Sequence, residues 1–341
     1  MPSFREARFY ERIDGTGKVR CLLCPKKCAI EEGRAGYCRV RRNIGGTLRT
    51  TGYARCSSFA VDPIEKKPLY HFYPGSYVVS VGTVGCNLGC RFCQNWQIAH
   101  EDAPTREMSP ENLVTITAGE RDLDRRVIGI AYTYSEPIVW YEYVLDTAAM
   151  AREAGLKNVF VTNGSINEEP LREMLPMIDA MNIDVKAFSN EYYRGVCSGL
   201  LGPVLRTVEL VYESGCHVEV TTLLVPGLND SEEEMRALSR WLASVSRDIP
   251  LHLSRYFPNY RMTLAPTPEE VLRRSREIAS EELHFVYTGN VRDEVGQNTY
   301  CPWCGAVLIE RSGLALRSSH LRDGTCPRCG RPAGIRGEVL D

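Results

Sequence analysis

From residue 76 onward the chain alternates short runs rich in β-branched and aromatic residues with longer stretches whose apolar positions recur at helical spacing. The short runs are YVVSV (77–81), VIGIAYTY (127–134), NVFVT (158–162), MNIDV (181–185), HVEVTTLLV (217–225), LHLSRY (251–256) and LHFVY (283–287). Between them the spacing predicts helices over 110–119, 137–154, 168–175, 203–214, 231–246 and 268–281. Several helices carry start signals: Ser109-Pro110 with Glu111, Glu136-Pro137, Asp230 or Ser231 before three glutamates, and Thr267-Pro268 before Glu269 and Glu270. Gly155 and Gly215 stop two of them. Strands separated by helices are most simply parallel, and right-handed crossovers wrap about six such units into an open or closed barrel. The expectation is an α/β core over 76–296, a partial (β/α)6 TIM-like barrel, with its chemistry beyond the C-terminal ends of the strands.

Residues 1–75 and 297–341 break this rhythm. Each is short, rich in Gly and Arg, and organised around its own cysteines, which predicts a small N-terminal cysteine-rich module and a C-terminal zinc ribbon dependent on metal for their cores. With 41 basic and 43 acidic residues among 341, no charge excess points to nucleic acid or to an anionic membrane. No run reaches the roughly 18 apolar residues of a membrane span, and the first residues lack the apolar run of a signal peptide, so the expected location is cytoplasmic.

Cysteine usage changes the picture most. Of 14 cysteines, 11 fall into three tight clusters, a distribution that reads as metal ligation and not as a disulfide framework. Cys56, Cys197 and Cys216 stand singly and read as ordinary thiols. The first core strand runs into GTVGCNLGCRFCQNW, which sets Cys86, Cys90 and Cys93 at C-x3-C-x2-C in a glycine-rich loop just past the strand end. Three thiolates hold three irons of a cubane and leave the fourth open, which suits catalysis, whereas a purely electron-carrying cluster normally has four cysteines. Gly82, Gly85 and Gly89 let the loop fold tightly around a cluster. The bland alternative is a structural zinc site using these three and a distant fourth ligand.

These residues resemble the CxxxCxxC signature of the radical S-adenosylmethionine (SAM) superfamily, with Phe92 as the aromatic before the last cysteine. The resemblance implies a 4Fe-4S cluster at Cys86, Cys90 and Cys93, SAM as cofactor, and the superfamily's partial barrel. It runs closest to the activating enzymes of glycyl radical enzymes. AYTYSEP (131–137) resembles their GGEP region, so Ser135 and Glu136 would contact the SAM amino group, although Tyr134 and Ser135 stand where two glycines are usual. VTNG (161–164), with Asn163, resembles DTNG; IDVKAF (183–188) resembles DLK and puts Asp184 and Lys186 near the SAM methionine group. LLVPGLND (223–230), with Val225, resembles the VPG segment bordering adenosine, and Tyr132, Tyr134, Lys186 and Tyr256 are further pocket candidates. Taken singly, each of these segments reads as a turn, a cap or a surface ion pair.

At the C-terminus, Cys301, Cys304, Cys326 and Cys329 form two Cys-Pro-x-Cys-Gly knuckles, a four-thiolate zinc ribbon or a rubredoxin-like iron site. Cys21, Cys24, Cys28 and Cys38 form a less specific set, suited to zinc or to an auxiliary iron-sulfur cluster. Arg39, Arg41 and Arg42 beside them read as a solvated face or as an attractor for an acidic electron donor. The whole order of motifs resembles the AmmeMemoRadiSam-system radical SAM proteins, which implies AMMECR-like and Memo-like proteins as functional partners and a ferredoxin or flavodoxin as electron donor. Three functions stay in view: hydrogen abstraction from a protein, radical modification of a small metabolite, and a non-catalytic zinc or iron-sulfur binding protein.

Overall fold

The computed structural model describes residues 4–340. Seven parallel strands form the centre of the molecule: β2 (Tyr77–Gly82), β3 (Val127–Tyr132), β4 (Lys157–Thr162), β5 (Ala180–Asp184), β6 (His217–Leu224), β7 (Leu251–Arg255) and β8 (Val286–Gly289). Each pairs with its neighbour in chain order, as alternating strands and crossover helices require. Every strand expected from the pattern is present. An eighth strand, β1 (Ser58–Pro63), runs antiparallel to β2 and completes one edge, so the division at residue 76 does not coincide with an edge of this sheet. The sheet is open, with β1 and β8 at its two edges.

The crossovers carry α1 (Pro110–Leu123), α2 (Tyr141–Glu153), α3 (Glu168–Met174), α4 (Asn190–Val196), α5 (Leu201–Glu213), α6 (Glu232–Val245) and α7 (Glu269–Ser280). The predicted start signals act as caps where a hydroxyl is free to turn back: Ser109 and Ser231 each accept the third helical N–H at 3.2 Å. Thr267 does not cap its helix, because its hydroxyl donates to the Leu224 carbonyl at 2.6 Å. Gly155 and Gly215 end α2 and α5 at φ +70° and +79°, where a side chain would be strained. Helix α4 was not legible in the pattern; it carries Tyr192 and Tyr193 inward over only seven residues.

The segment 64–76 threads under the sheet. Phe72 and Leu69 are buried there, and the Tyr70 and His71 N–H groups donate to the buried carboxylate of Glu219 on β6 at 3.0 and 2.7 Å. The C-terminal ribbon, with strands Val307–Ser312 and Ala315–Ser319, docks on this segment. Arg311 is buried there, donating to the Tyr70 carbonyl at 2.8 Å with its guanidinium 4.3 Å from the Tyr70 ring centre. The N-terminal residues form two small three-stranded antiparallel sheets. They are anchored by Arg41, whose guanidinium meets Glu142 of α2 at 3.0 Å with both side chains almost fully buried. Arg41 is therefore no solvated residue, and Arg39 donates to the carbonyls of His100 and Glu101; of the three arginines only Arg42 is exposed. No helix among the described residues is long and apolar enough to cross a membrane.

Candidate active site

Cys86, Cys90 and Cys93 lie in the loop between Gly82 and Asn95, immediately past the C-terminal end of β2. Backbone bonds pin this loop to neighbouring elements: Gly85 N–H to Ile98 O at 2.8 Å, Gly89 N–H to Cys197 O at 2.8 Å, and Arg91 N–H to Val196 O at 3.0 Å. At Gly85 φ is +93°, and a Cβ there would stand 2.5 Å from the Cys38 carbonyl oxygen, so the position requires glycine.

The three thiols open into one cavity of about 660 Å³, and among the described residues they are the only cysteines lining it. Burial pushes the Cys86 thiol well up and the Cys93 thiol up to about 11. The Cys90 thiol is drawn down by a hydrogen bond from the thiol of Cys197. Buried thiols of this kind give up their protons when a metal takes their place. Cys197, read from the sequence as an ordinary thiol, is thus packed behind the cluster loop, although it does not line the cavity.

Phe92, Ser135, Glu136, Asn163, Asp184 and Lys186 all line the same cavity. Glu136 is buried; its Oε1 accepts from the Thr162 hydroxyl at 2.6 Å and the Ile138 N–H at 3.0 Å, and its Oε2 accepts from the Asn163 N–H at 2.8 Å. Burial outweighs these donors and pushes its carboxyl up to about 7. Ser135 Oγ is buried without a hydrogen-bond partner. Lys186 Nζ donates to Asp184 at 2.9 Å, and although burial opposes its charge, that carboxylate holds the ammonium well above its ordinary range. Asn163 Nδ2 donates to Asn87 Oδ1 at 2.9 Å and approaches Cys86 Sγ at 3.7 Å, tying the third strand-end turn to the cysteine loop.

Tyr134 also lines the cavity, at φ +70°, a backbone conformation that glycine adopts without strain. Its hydroxyl donates to Asp62 at 2.7 Å, and Lys67 sits 4.8 Å from its ring centre. Three expected pocket residues are elsewhere. Val225 is fully buried and does not line the cavity; its N–H donates to Asn229 Oδ1, and Asn229 in turn holds the Lys186 carbonyl at 2.7 Å. Tyr132 is buried against Asn158 beside α2, and Tyr256 donates its hydroxyl to the Met262 carbonyl at 3.0 Å.

Several lining residues were not foreseen, among them Lys66, Lys67, Tyr70 and His252. His252 lies 2.6 Å from the Glu219 carboxylate, which His217 also contacts at 2.9 Å. Although burial alone would raise Glu219, these imidazoles keep it below the usual carboxylate range. The available signal was an acidic residue inside a strand that ought to be apolar on both faces. At the C-terminus, Cys301 and Cys329, and Cys304 and Cys326, bring their sulfurs to 3.6 Å, and all four lie within 4.8 Å of one another. Such a group could hold a single metal ion, because bonds of about 2.3 Å to a tetrahedral centre space the sulfurs about 3.8 Å apart.

Three thiols in the loop past one strand end, lining a cavity together with Ser135, a buried carboxyl and a buried ammonium, suit an iron-sulfur cluster with one iron left open. The family model of the radical SAM superfamily matches residues 80–239, just under half of the chain. That superfamily implies a 4Fe-4S cluster and SAM, and the donor set present here fits both. An uncharacterized protein of Methanocaldococcus jannaschii is 48% identical over 343 residues, covering 99% of each chain. The pyruvate formate-lyase-activating enzyme of Clostridium pasteurianum is 26% identical over 167 residues, covering 47% of this chain and 67% of that protein. The crystal structure of a radical SAM methyltransferase from Sphaerobacter thermophilus superposes with a TM-score of 0.51 at 16% identity, covering 90% of this chain and 81% of that one, a likeness of fold alone.

Proposed function

We propose that this chain is a radical SAM oxidoreductase that abstracts hydrogen from a protein substrate, in the manner of the activating enzymes it is related to. The observation that carries the reading is the convergence of Cys86, Cys90, Cys93, Ser135, Glu136, Asn163, Asp184 and Lys186 on one cavity at the C-terminal ends of the strands. A bound cluster would supply the electron that splits SAM into methionine and a 5'-deoxyadenosyl radical. The chain's own residues bind and orient. The three thiolates would hold the cluster, Glu136 and the Ser135 hydroxyl would receive the SAM ammonium, and Lys186, held by Asp184, would meet its carboxylate. Phe92 and the buried strand ends exclude water and stray hydrogen donors from the reacting carbon.

In this reading the parallel strands are the wall of a partial barrel over 76–296, flanked by metal modules at 1–75, which also lends the sheet its edge strand β1, and at 297–341. The C-terminal four cysteines take zinc, because their sulfur spacing suits one closed-shell ion. The enzyme is cytoplasmic, draws electrons from a ferredoxin or flavodoxin, and works with AMMECR-like and Memo-like proteins. The test is isotopic. Offered a deuterated candidate protein, the reduced enzyme transfers deuterium into 5'-deoxyadenosine; label arriving only from a small metabolite would replace the protein-substrate reading.

A further inference from the structure

We propose that Cys21, Cys24, Cys28 and Cys38 hold a second 4Fe-4S cluster, with a thiolate on every iron, placed against the first. The site itself stands on its own geometry; only its role as an electron store rests on the radical SAM reading.

The two flanking cysteine sets differ in spacing. The C-terminal four draw their sulfurs to within 4.8 Å of one another, and among the described residues no other group of three or more such ligands does so. The N-terminal four nevertheless face a common interior. All of them line one cavity of about 20 Å³, walled also by Leu23, Ile30, Ile138 and Val139. That space exceeds the roughly 10–15 Å³ needed to admit a water, and four sulfurs clasping one zinc about 2.3 Å away leave none between them. A cubane interposes irons and sulfides between its thiolates and so holds them further apart, around a dry interior of this kind.

A buried cation marks the same cavity. Arg41 lines it with its side chain 2% exposed, and while Nη1 is spent on Glu142, Nε has no hydrogen-bond partner. The Tyr37 N–H points at Cys28 Sγ, 3.5 Å away. An unsatisfied buried guanidinium N–H is costly, and a sulfur-rich anion in the cavity would accept from it. Arg41 serves any anionic metal-thiolate centre; the spacing and the interior space select the cubane.

Asn87 joins this cavity to the catalytic one. It follows Cys86 directly, lines the N-terminal cavity, and accepts from Asn163, which itself approaches Cys86. Its amide also donates to the Ser165 carbonyl at 2.7 Å, which fixes the side chain that follows the first cluster cysteine at the wall of the N-terminal cavity. Across Asn87, an electron taken from a low-potential iron-sulfur or flavin protein can pass from the second cluster to the first. The second cluster is thereby reoxidised by one electron and the first reduced by one, with no bond or proton exchanged.

The experiment uses the full chain, reconstituted anaerobically with iron and sulfide. The wild type should hold about eight irons, and a variant with Cys86→Ala, Cys90→Ala and Cys93→Ala should keep about four, with a paramagnetic signal on reduction. Because that variant leaves the N-terminal site untouched, misfolding of N-terminal mutants cannot decide the outcome. Trace iron and two zinc ions in the triple variant would overturn the proposal while leaving the catalytic cluster intact; wild-type iron in it would instead overturn the catalytic assignment. After reduction and removal of the reductant, wild type should form about two 5'-deoxyadenosine per chain and Cys24→Ala about one, since each cleavage consumes one electron. A single equivalent from the wild type would overturn the electron-store role.

Discussion

Glu136 is a carboxyl that burial keeps near neutrality, and its environment makes a testable link to pH. Its folded pKa of about 7 lies above the ordinary 4.5, so between those values the unfolded chain binds fewer protons. Its contribution to the stability of the free protein is therefore complete below about pH 4.5 and is lost as pH rises through about 7. Binding of a cationic ammonium has the opposite sign, because it requires the carboxylate. SAM affinity, measured by equilibrium titration of the cluster-loaded protein, should fall about tenfold from pH 8 to pH 6 in the wild type, with a flat profile in Glu136→Gln. An equally steep profile in the variant would remove Glu136 from the ammonium site. At Gly85 the backbone and the Cys38 carbonyl both oppose a side chain, so Gly85→Ala should cost about 1–3 kcal/mol in chemical denaturation. The cysteine triplet, Glu136 and Lys186, which share one cavity, could be singled out in the sequence because short motifs fix residue type and spacing together. Tyr132, Tyr256 and Val225 do not line the cavity, because standing near a strand end does not say which face a side chain takes. His252 and Lys67 escaped notice because their meaning depends on partners far away in the chain, Glu219 and Asp62.

At the scale of elements, the seven parallel strands were readable from their β-branched runs, since strands covered on both faces need near-continuous apolar sequence. Strand β1 was not, because an edge strand with Phe59 and Val61 44% and 40% exposed carries no core signature. The 64–76 segment was equally silent; its buried Lys67, Tyr70 and His71 acquire meaning only when Asp62, Glu219 and Arg311 surround them. Arg311 is the element-scale test. It donates to Tyr70 O and Thr299 Oγ1, each at 2.8 Å, and lies 3.7 Å from Glu65, all within the buried contact between ribbon and core. Arg311→Met should cost about 3–5 kcal/mol and expose the ribbon to limited proteolysis, because it strands a buried carboxylate. A loss under about 1 kcal/mol with an unchanged digestion pattern would mean the ribbon docks by its apolar contacts alone.

Across the whole molecule, three sets of cysteines occupy three mechanical settings: a loop at the mouth of the sheet, a small antiparallel module pressed against that loop, and a ribbon on the underside. The parallel sheet brings the first set together with residues contributed by successive strand ends, and this convergence over more than 100 residues of chain is what separates catalysis from a structural metal site. The most direct test is formation of 5'-deoxyadenosine by the anaerobically reconstituted, reduced protein supplied with SAM. Wild type should produce it and Cys90→Ala should not, while both retain the ribbon's metal. Full activity in Cys90→Ala, or a wild-type protein that fills every site with zinc and carries only trace iron, would contradict the account.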